Sequence, residues 1–291
     1  MNNWRRSSYR EISAGRIGVF DSGLGGLTVL KALQAQLPHE SFLYFGDTAH
    51  LPYGERSAAE ITTFVRQILA WMQQSGVKLG VMACNTSSAL ALEQVRREFD
   101  FPIIGLILPA AQVAVKKGKR IGIMATSATV NSQSYPQALQ EQKPTIQVCQ
   151  VACPEFVPLI EQNRCQDPYL RQVAQAYLEP LIEFGLDTLI YGCTHYPHIA
   201  DVITALLPAQ VRQIDPAQAV AQAAIQELEL LGLRQYRRGR GTAKFAVSGN
   251  PEQFAHLASR WLGYFPYVEK VDLTAIHLSQ VSMAVPPTPA S

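Results

Sequence analysis

The chain has 291 residues, is 47% hydrophobic and 16% charged, and carries a formal net charge of +2. That composition describes an ordinary globular protein with enough apolar material for about two domains. It argues against a dedicated nucleic-acid binder, which carries a strong basic excess, so nucleic acid is not an expected partner.

Residues 1–14 carry Arg5, Arg6 and Arg10 with no apolar run to follow. No secretory signal is expected there, and the segment reads as a disordered extension. Residues 16–20 give a buried-strand signal that runs into Asp21-Ser22-Gly23-Leu24-Gly25-Gly26 and then a helical pattern through Leu37. A second strand over 42–45 ends at Gly46-Asp47-Thr48. After the turn at Leu51-Pro52-Tyr53-Gly54, the residues Ile61, Phe64, Val65, Ile68 and Leu69 mark one face of a helix over 58–75. A strand over 79–83 leads to Cys84, followed by a helix over 89–99 and a strand signal over 102–106. The greasy segment 103–115 is broken by Pro109 and too short to span a bilayer, so no membrane partner is expected.

The pattern then restarts: Arg120-Ile121-Gly122-Ile123 parallels Arg16-Ile17-Gly18-Val19, and a strand over 189–192 leads to Cys193 as the earlier one leads to Cys84. Further signals follow: a strand over 210–214, a helix over 216–231, a strand over 244–247 and a helix over 251–262. The Pro-rich tail, 278–291, reads as disordered. Strands alternating with helices at this spacing predict an α/β fold of two similar doubly wound, mostly parallel-sheet domains facing each other across a central cleft. The first is expected over 15–108 plus 216–277, the second over 109–215.

The paired cysteines carry the functional argument. Each ends a short apolar run and precedes small polar residues, Asn85-Thr86-Ser87-Ser88 in one case and Thr194-His195 in the other. A thiol at a strand's carboxyl end is well placed to become a thiolate and to face a ligand. Two from matched halves suggest a two-sided proton-transfer site. Cys149, Cys153 and Cys165 lack that setting and read as inert. Five cysteines with no close-spaced framework fit a reducing compartment, and the cytoplasm is the expected location.

Competing motifs are weaker. The glycine-rich turn after Asp21 invites a dinucleotide reading, but Thr28 stands where a glycine is required. Its backbone amides and the Ser22 hydroxyl could instead hold a small charged group, or simply make a tight turn. Cys193, His195 and His198 lack a carboxylate partner for a metal triad, and no metal is expected. The basic stretch Arg234 to Arg240 reads first as a solvated loop.

Taken together, these segments resemble the glutamate racemases of the Asp/Glu racemase superfamily. The resemblance rests on residues 17–28, Asp47-Thr48, Pro52-Tyr53-Gly54, Ala83-Cys84-Asn85-Thr86, Ala125-Thr126 with Thr129, Cys153-Pro154 with 156–159, and residues 192–197. It implies cofactor-independent interconversion of L- and D-glutamate, supplying D-glutamate for peptidoglycan and hence cell shape. By match, Cys193 would take the Cα proton of L-glutamate and Cys84 that of D-glutamate, assisted by Asp21 and His195. Substrate contacts would come from Asp21, Ser22, Tyr53, Gly54, Asn85, Thr86, Thr126, Thr129, Thr194 and His195. Asp47 and Glu161 would give secondary polar support. A homodimer is the assembly common to such enzymes. Two positions depart from the pattern: Leu108 stands where many members carry an acid, and His198 where they carry an apolar residue. An aspartate or hydantoin-type racemase shares the same logic, as the alternative within the fold. A two-lobed binding protein would need no reactive thiols, and a gyrase-binding role has only the basic stretch behind it.

Overall fold

The computed structural model describes residues 13–236 and 239–276. The tail over 278–291, most of the N-terminal extension, and Arg237 and Arg238 of the basic stretch lie outside the described residues. Among the described residues no helix is long and apolar enough to cross a membrane.

Among the described residues ten strands form two sheets. β1 (Arg16–Asp21), β2 (Phe42–Gly46), β3 (Val77–Met82), β4 (Ile103–Ile104), β9 (Ala243–Val247) and β10 (Val268–Lys270) make the first, in the order β10-β9-β2-β1-β3-β4. β5 (Arg120–Ala125), β6 (Gln147–Ala152), β7 (Thr188–Gly192) and β8 (Arg212–Ile214) make the second, in the order β6-β5-β7-β8. All pairings are parallel. The orders β2-β1-β3-β4 and β6-β5-β7-β8 are the same, so the restart seen in the sequence is a repeated topology. This is the expected architecture of two parallel sheets.

Parallel strands covered by helices on both faces read as continuous apolar runs. Every residue of β2 and β3 is buried. Separate clusters flank the first sheet: Leu27, Leu30, Leu33, Val220 and Leu228 on one face, Ile61, Val65, Ile68 and Leu69 on the other. The second sheet is enclosed in the same way. Even Lys78 in β3 is buried, paired with buried Glu40 at 2.7 Å and donating to the carbonyls of Ser13 and Leu233.

Helix starts follow local chemistry. Ser57 and Glu60 form a reciprocal capping box on helix Ala58–Gln74. Asp215 and Asn250 cap helices whose first residue is proline, Pro216–Leu230 and Pro251–Leu262. Two boundaries differ from the sequence expectation. The helix after Cys84 begins at Asn85, not residue 89, and breaks at Ala91 before a short turn of helix, Leu92–Val95. After Cys193 the chain makes a 3-10 turn, Tyr196–Ile199, before helix Ala200–Leu206. Pro197 fits that first turn because it needs no amide donor there.

Candidate active site

The carboxyl ends of both sheets point at one another, the usual position for a ligand in parallel α/β architecture. Residues just past β1, β3, β5 and β7 (Ser22, Cys84, Thr126 and Cys193) wall a cavity of about 690 Å³ including its mouth. The two matched cysteines therefore share one cavity.

The Cys84 side is acidic. Cys84 is buried and its sulfur lies 4.0 Å from the Ser22 hydroxyl. Burial, with the charge of Asp21 adding to it, pushes the Cys84 thiol up to about 12. This thiol holds its proton. Asp21 is itself buried, accepting from the Gly23 amide at 2.8 Å and from the Thr194 hydroxyl at 3.3 Å. Burial raises the Asp21 carboxyl above its ordinary range, although His195 and the Gly23 and Gly26 amides work against that.

The Cys193 side is built around a histidine. His195 places Nδ1 3.7 Å from the Cys193 sulfur and Nε2 3.1 Å from Glu161 Oε1. Burial alone would lower the affinity of His195 for its proton. The contacts with Cys193 and Glu161 outweigh it and raise His195 well above its ordinary value. A histidine with a raised affinity for its proton thus faces this sulfur, whereas the charge of the Asp21 carboxyl acts on the other. The turn after β1 makes the close approach possible: a Cβ on Gly25 would meet His195 Nδ1 and Thr194 Oγ1 at 2.5 Å. Only a glycine fits there.

A third wall carries hydrogen-bond donors. The hydroxyls of Thr86 and Thr126 lie 2.9 Å apart and join the two sheets, with Thr129 3.0 Å from Thr126. Asn85 accepts at Oδ1 from the Tyr135 hydroxyl at 2.7 Å, while its buried Nδ2 has no hydrogen-bond partner among the described residues. Because Asn85 lines the cavity, that amide is a donor available to a ligand. Tyr53 donates to Asp47 at 2.5 Å, and burial keeps its hydroxyl protonated by raising it well above the usual phenol range. Asp47 also accepts from Ser248 and contacts His50, so it props the Tyr53-Gly54 turn from behind.

The fold brings together Asp21, Ser22, Tyr53, Gly54, Cys84, Asn85, Thr86, Thr126, Cys193, Thr194 and His195 on the cavity wall. Thr129, Asp47 and Glu161 stand behind it, touching Thr126, Tyr53 and His195 respectively. Cys153 corrects the sequence reading. It follows the carboxyl end of β6, precedes helix Phe156–Glu161, is buried, and lines the cavity beside Pro154, Val157 and Pro158. The signal was masked because β6 contains Gln147 and Gln150 and is only partly buried, so it lacks an apolar strand's continuous run. Burial raises the Cys153 thiol well above its ordinary value. Among the described residues no group of three His, Cys, Asp or Glu side chains is placed to hold a metal.

Residues 17–224 match the family model described as Asp/Glu/hydantoin racemase. The chain is 61% identical over 274 residues to a glutamate racemase of Trichormus variabilis, covering 94% of each chain. Among solved structures it resembles a glutamate racemase isoform of Bacillus anthracis, with a TM-score of 0.86 and 37% identity, covering 89% of this chain and 98% of that one. It also resembles a Francisella tularensis glutamate racemase in complex with D-glutamate, with a TM-score of 0.84 and 33% identity over 90% and 98% of the two chains. Fold, cavity and relatives agree, and the chain belongs to the Asp/Glu/hydantoin racemase family.

Proposed function

We propose that this chain interconverts L- and D-glutamate by two-base proton transfer between Cys84 and Cys193, with no cofactor. The observation that carries the reading is the pair of buried thiols in one cavity with opposite electrostatic settings. The relatives' activity supplies the substrate.

An amino-acid α-proton is weakly acidic, so its removal needs a base on one face and stabilisation of the charge that develops on the α-carboxylate. With His195 protonated, Cys193 serves as thiolate and removes the Cα proton of L-glutamate. Cys84, whose proton is held by burial and Asp21, delivers a proton to the opposite face. In the reverse direction the roles exchange. The Asn85 amide and the Thr86 and Thr126 hydroxyls donate to the carboxylates, and Ser22, Tyr53, Gly54 and Thr194 complete the pocket. Cys153 with Val157 forms an apolar wall for the substrate's methylenes. Domains spanning 15–108 with 216–277 and 109–215 close on the substrate and exclude water. D-glutamate made this way feeds peptidoglycan synthesis, in the cytoplasm, by a homodimer.

The test is circular dichroism with L- and then D-glutamate in D2O, with EDTA and no added cofactor. Decay of both signals with deuterium at Cα is expected. Cys84→Ala and Cys193→Ala should each lose racemisation by several orders of magnitude, on the order of the 10²–10⁴-fold ascribed to each acid–base group or more. Near-normal racemisation by either folded variant would remove the two-thiol mechanism. Activity on aspartate in place of glutamate would keep the mechanism and change the substrate.

A further inference from the structure

Trp261 has no part in that mechanism, yet it touches the histidine on the Cys193 side. It lies near the end of helix Pro251–Leu262, which packs on the first sheet, while its side chain packs against both the first-sheet core and the core of the second lobe. Its ring stands edge-to-face with His195, at 83° with centroids 6.0 Å apart. It is also stacked on His198, at 30° with centroids 3.7 Å apart. Its carbonyl accepts from Lys31 Nζ at 3.1 Å, which ties it to helix Leu27–Gln36.

The geometry of His195 explains why such a contact matters. Its two hydrogen-bonding contacts run through Nδ1 to Cys193 and through Nε2 to Glu161. Contacts at those two atoms restrain the ring's position within its own plane more than its tilt out of that plane, which small rotations about Cα–Cβ and Cβ–Cγ change. Packing against its faces and edges removes that freedom, and the first lobe supplies it from two directions, the Gly25 backbone and Trp261. Trp261 is in turn held by His198. That imidazole is partly buried, its Nε2 without a hydrogen-bond partner among the described residues, and burial, followed by the charges of His195 and Lys31, lowers it to about 4. It is therefore neutral at working pH and suited to stack.

We propose that Trp261, braced by His198, is a positioning residue that fixes the tilt of His195 and, through it, the alignment of Cys193 for proton transfer at one face of the substrate. This rests on the two-thiol reading above. Because Trp261 and His195 belong to elements packed on different sheets, the contact also links the seating of the two lobes to the readiness of one base.

The test compares Trp261→Leu, Trp261→Phe and His198→Ala with wild type. It uses circular dichroism rates in both directions and primary deuterium isotope effects with α-deuterated L- and D-glutamate. In Trp261→Leu, kcat should fall about tenfold to a hundredfold with KM little changed, the scale of a misplaced catalytic group. The isotope effect should rise for L-glutamate, where Cys193 removes the deuteron, and fall for D-glutamate, where Cys84 does. Trp261→Phe should recover most of the rate, and His198→Ala should show the same asymmetry in weaker form. Wild-type rates in Trp261→Leu, or isotope effects that change alike for both enantiomers, would overturn the proposal. If Trp261→Leu fails to fold, His198→Ala decides, since unaltered isotope effects there are equally fatal. Failure of the two-thiol reading is distinct: it shows as wild-type activity surviving in Cys193→Ala.

Discussion

Glutamate 161 offers the sharpest test of the electrostatics around His195. Its Oε1 lies 3.1 Å from His195 Nε2, and the carboxylate is 26% exposed against 3% for the imidazole. Glu161→Gln keeps the shape and an acceptor oxygen but removes the charge. A hydrogen bond to a charged group contributes about 1.5–3 kcal/mol, and partial exposure puts this one toward the lower end. A loss of about 1.5 kcal/mol is about tenfold in rate, which should appear in kcat/KM for both enantiomers.

The same substitution has a pH signature in stability. His195 has a folded value raised above its unfolded one, with burial opposing and Cys193 and Glu161 prevailing. Its contribution is therefore fully present below the unfolded value of about 6.5 and lost as pH rises through the raised folded value. Urea midpoints should show Glu161→Gln destabilised at about pH 6, with the gap from wild type closing as pH climbs well past 6.5. A gap of equal size at both ends of the pH range, or an unaltered kcat/KM, would refute the reasoning.

Other perturbations probe separate parts of the molecule. Gly25→Ala places a methyl 2.5 Å from both His195 Nδ1 and Thr194 Oγ1, so steady-state assays should show kcat reduced by about tenfold or more while the fold survives by circular dichroism. Asn85→Ala removes the unpartnered amide donor, and KM for glutamate should rise about tenfold. It also strands the Tyr135 hydroxyl, costing about 1–3 kcal/mol in urea unfolding that Tyr135→Phe should restore. Lys78→Met leaves Glu40 buried and unpaired by an ion, at about 3–5 kcal/mol by the same measurement; adding Glu40→Gln should recover much of it.

Much of the architecture was legible because buried parallel strands announce themselves locally. Residues 17–20 and 42–45 are continuous apolar runs, and the helix at 251–262 carries its own cap and starting proline. The thiols were legible through the repeated strand-end setting of Cys84 and Cys193. Where signals were not apolar runs, reading failed. β6, with Gln147 and Gln150, concealed Cys153, and β10, a three-residue edge strand, had no pattern long enough to detect. The helix start at Asn85 was missed because Asn85-Thr86-Ser87-Ser88 reads as a cluster of capping residues ahead of the helix. It is held by tertiary contacts: Asn85 to Tyr135, Thr86 to Thr126, and Ser88 to the Met82 carbonyl.

By itself the sequence determined the alternation of strands and helices, their parallel doubling and the chemistry standing at the strand ends. These follow from periodicity and capping, which act between residues a few positions apart. Only the tertiary structure decided what each of those groups faces. Asp21 lies against Thr194, Glu161 against His195 and Trp261 between His195 and His198, contacts spanning tens to hundreds of residues. The burial and neighbouring charges that push the Cys84 thiol up, and raise the affinity of His195 for its proton beside Cys193, arise only when the two sheets meet.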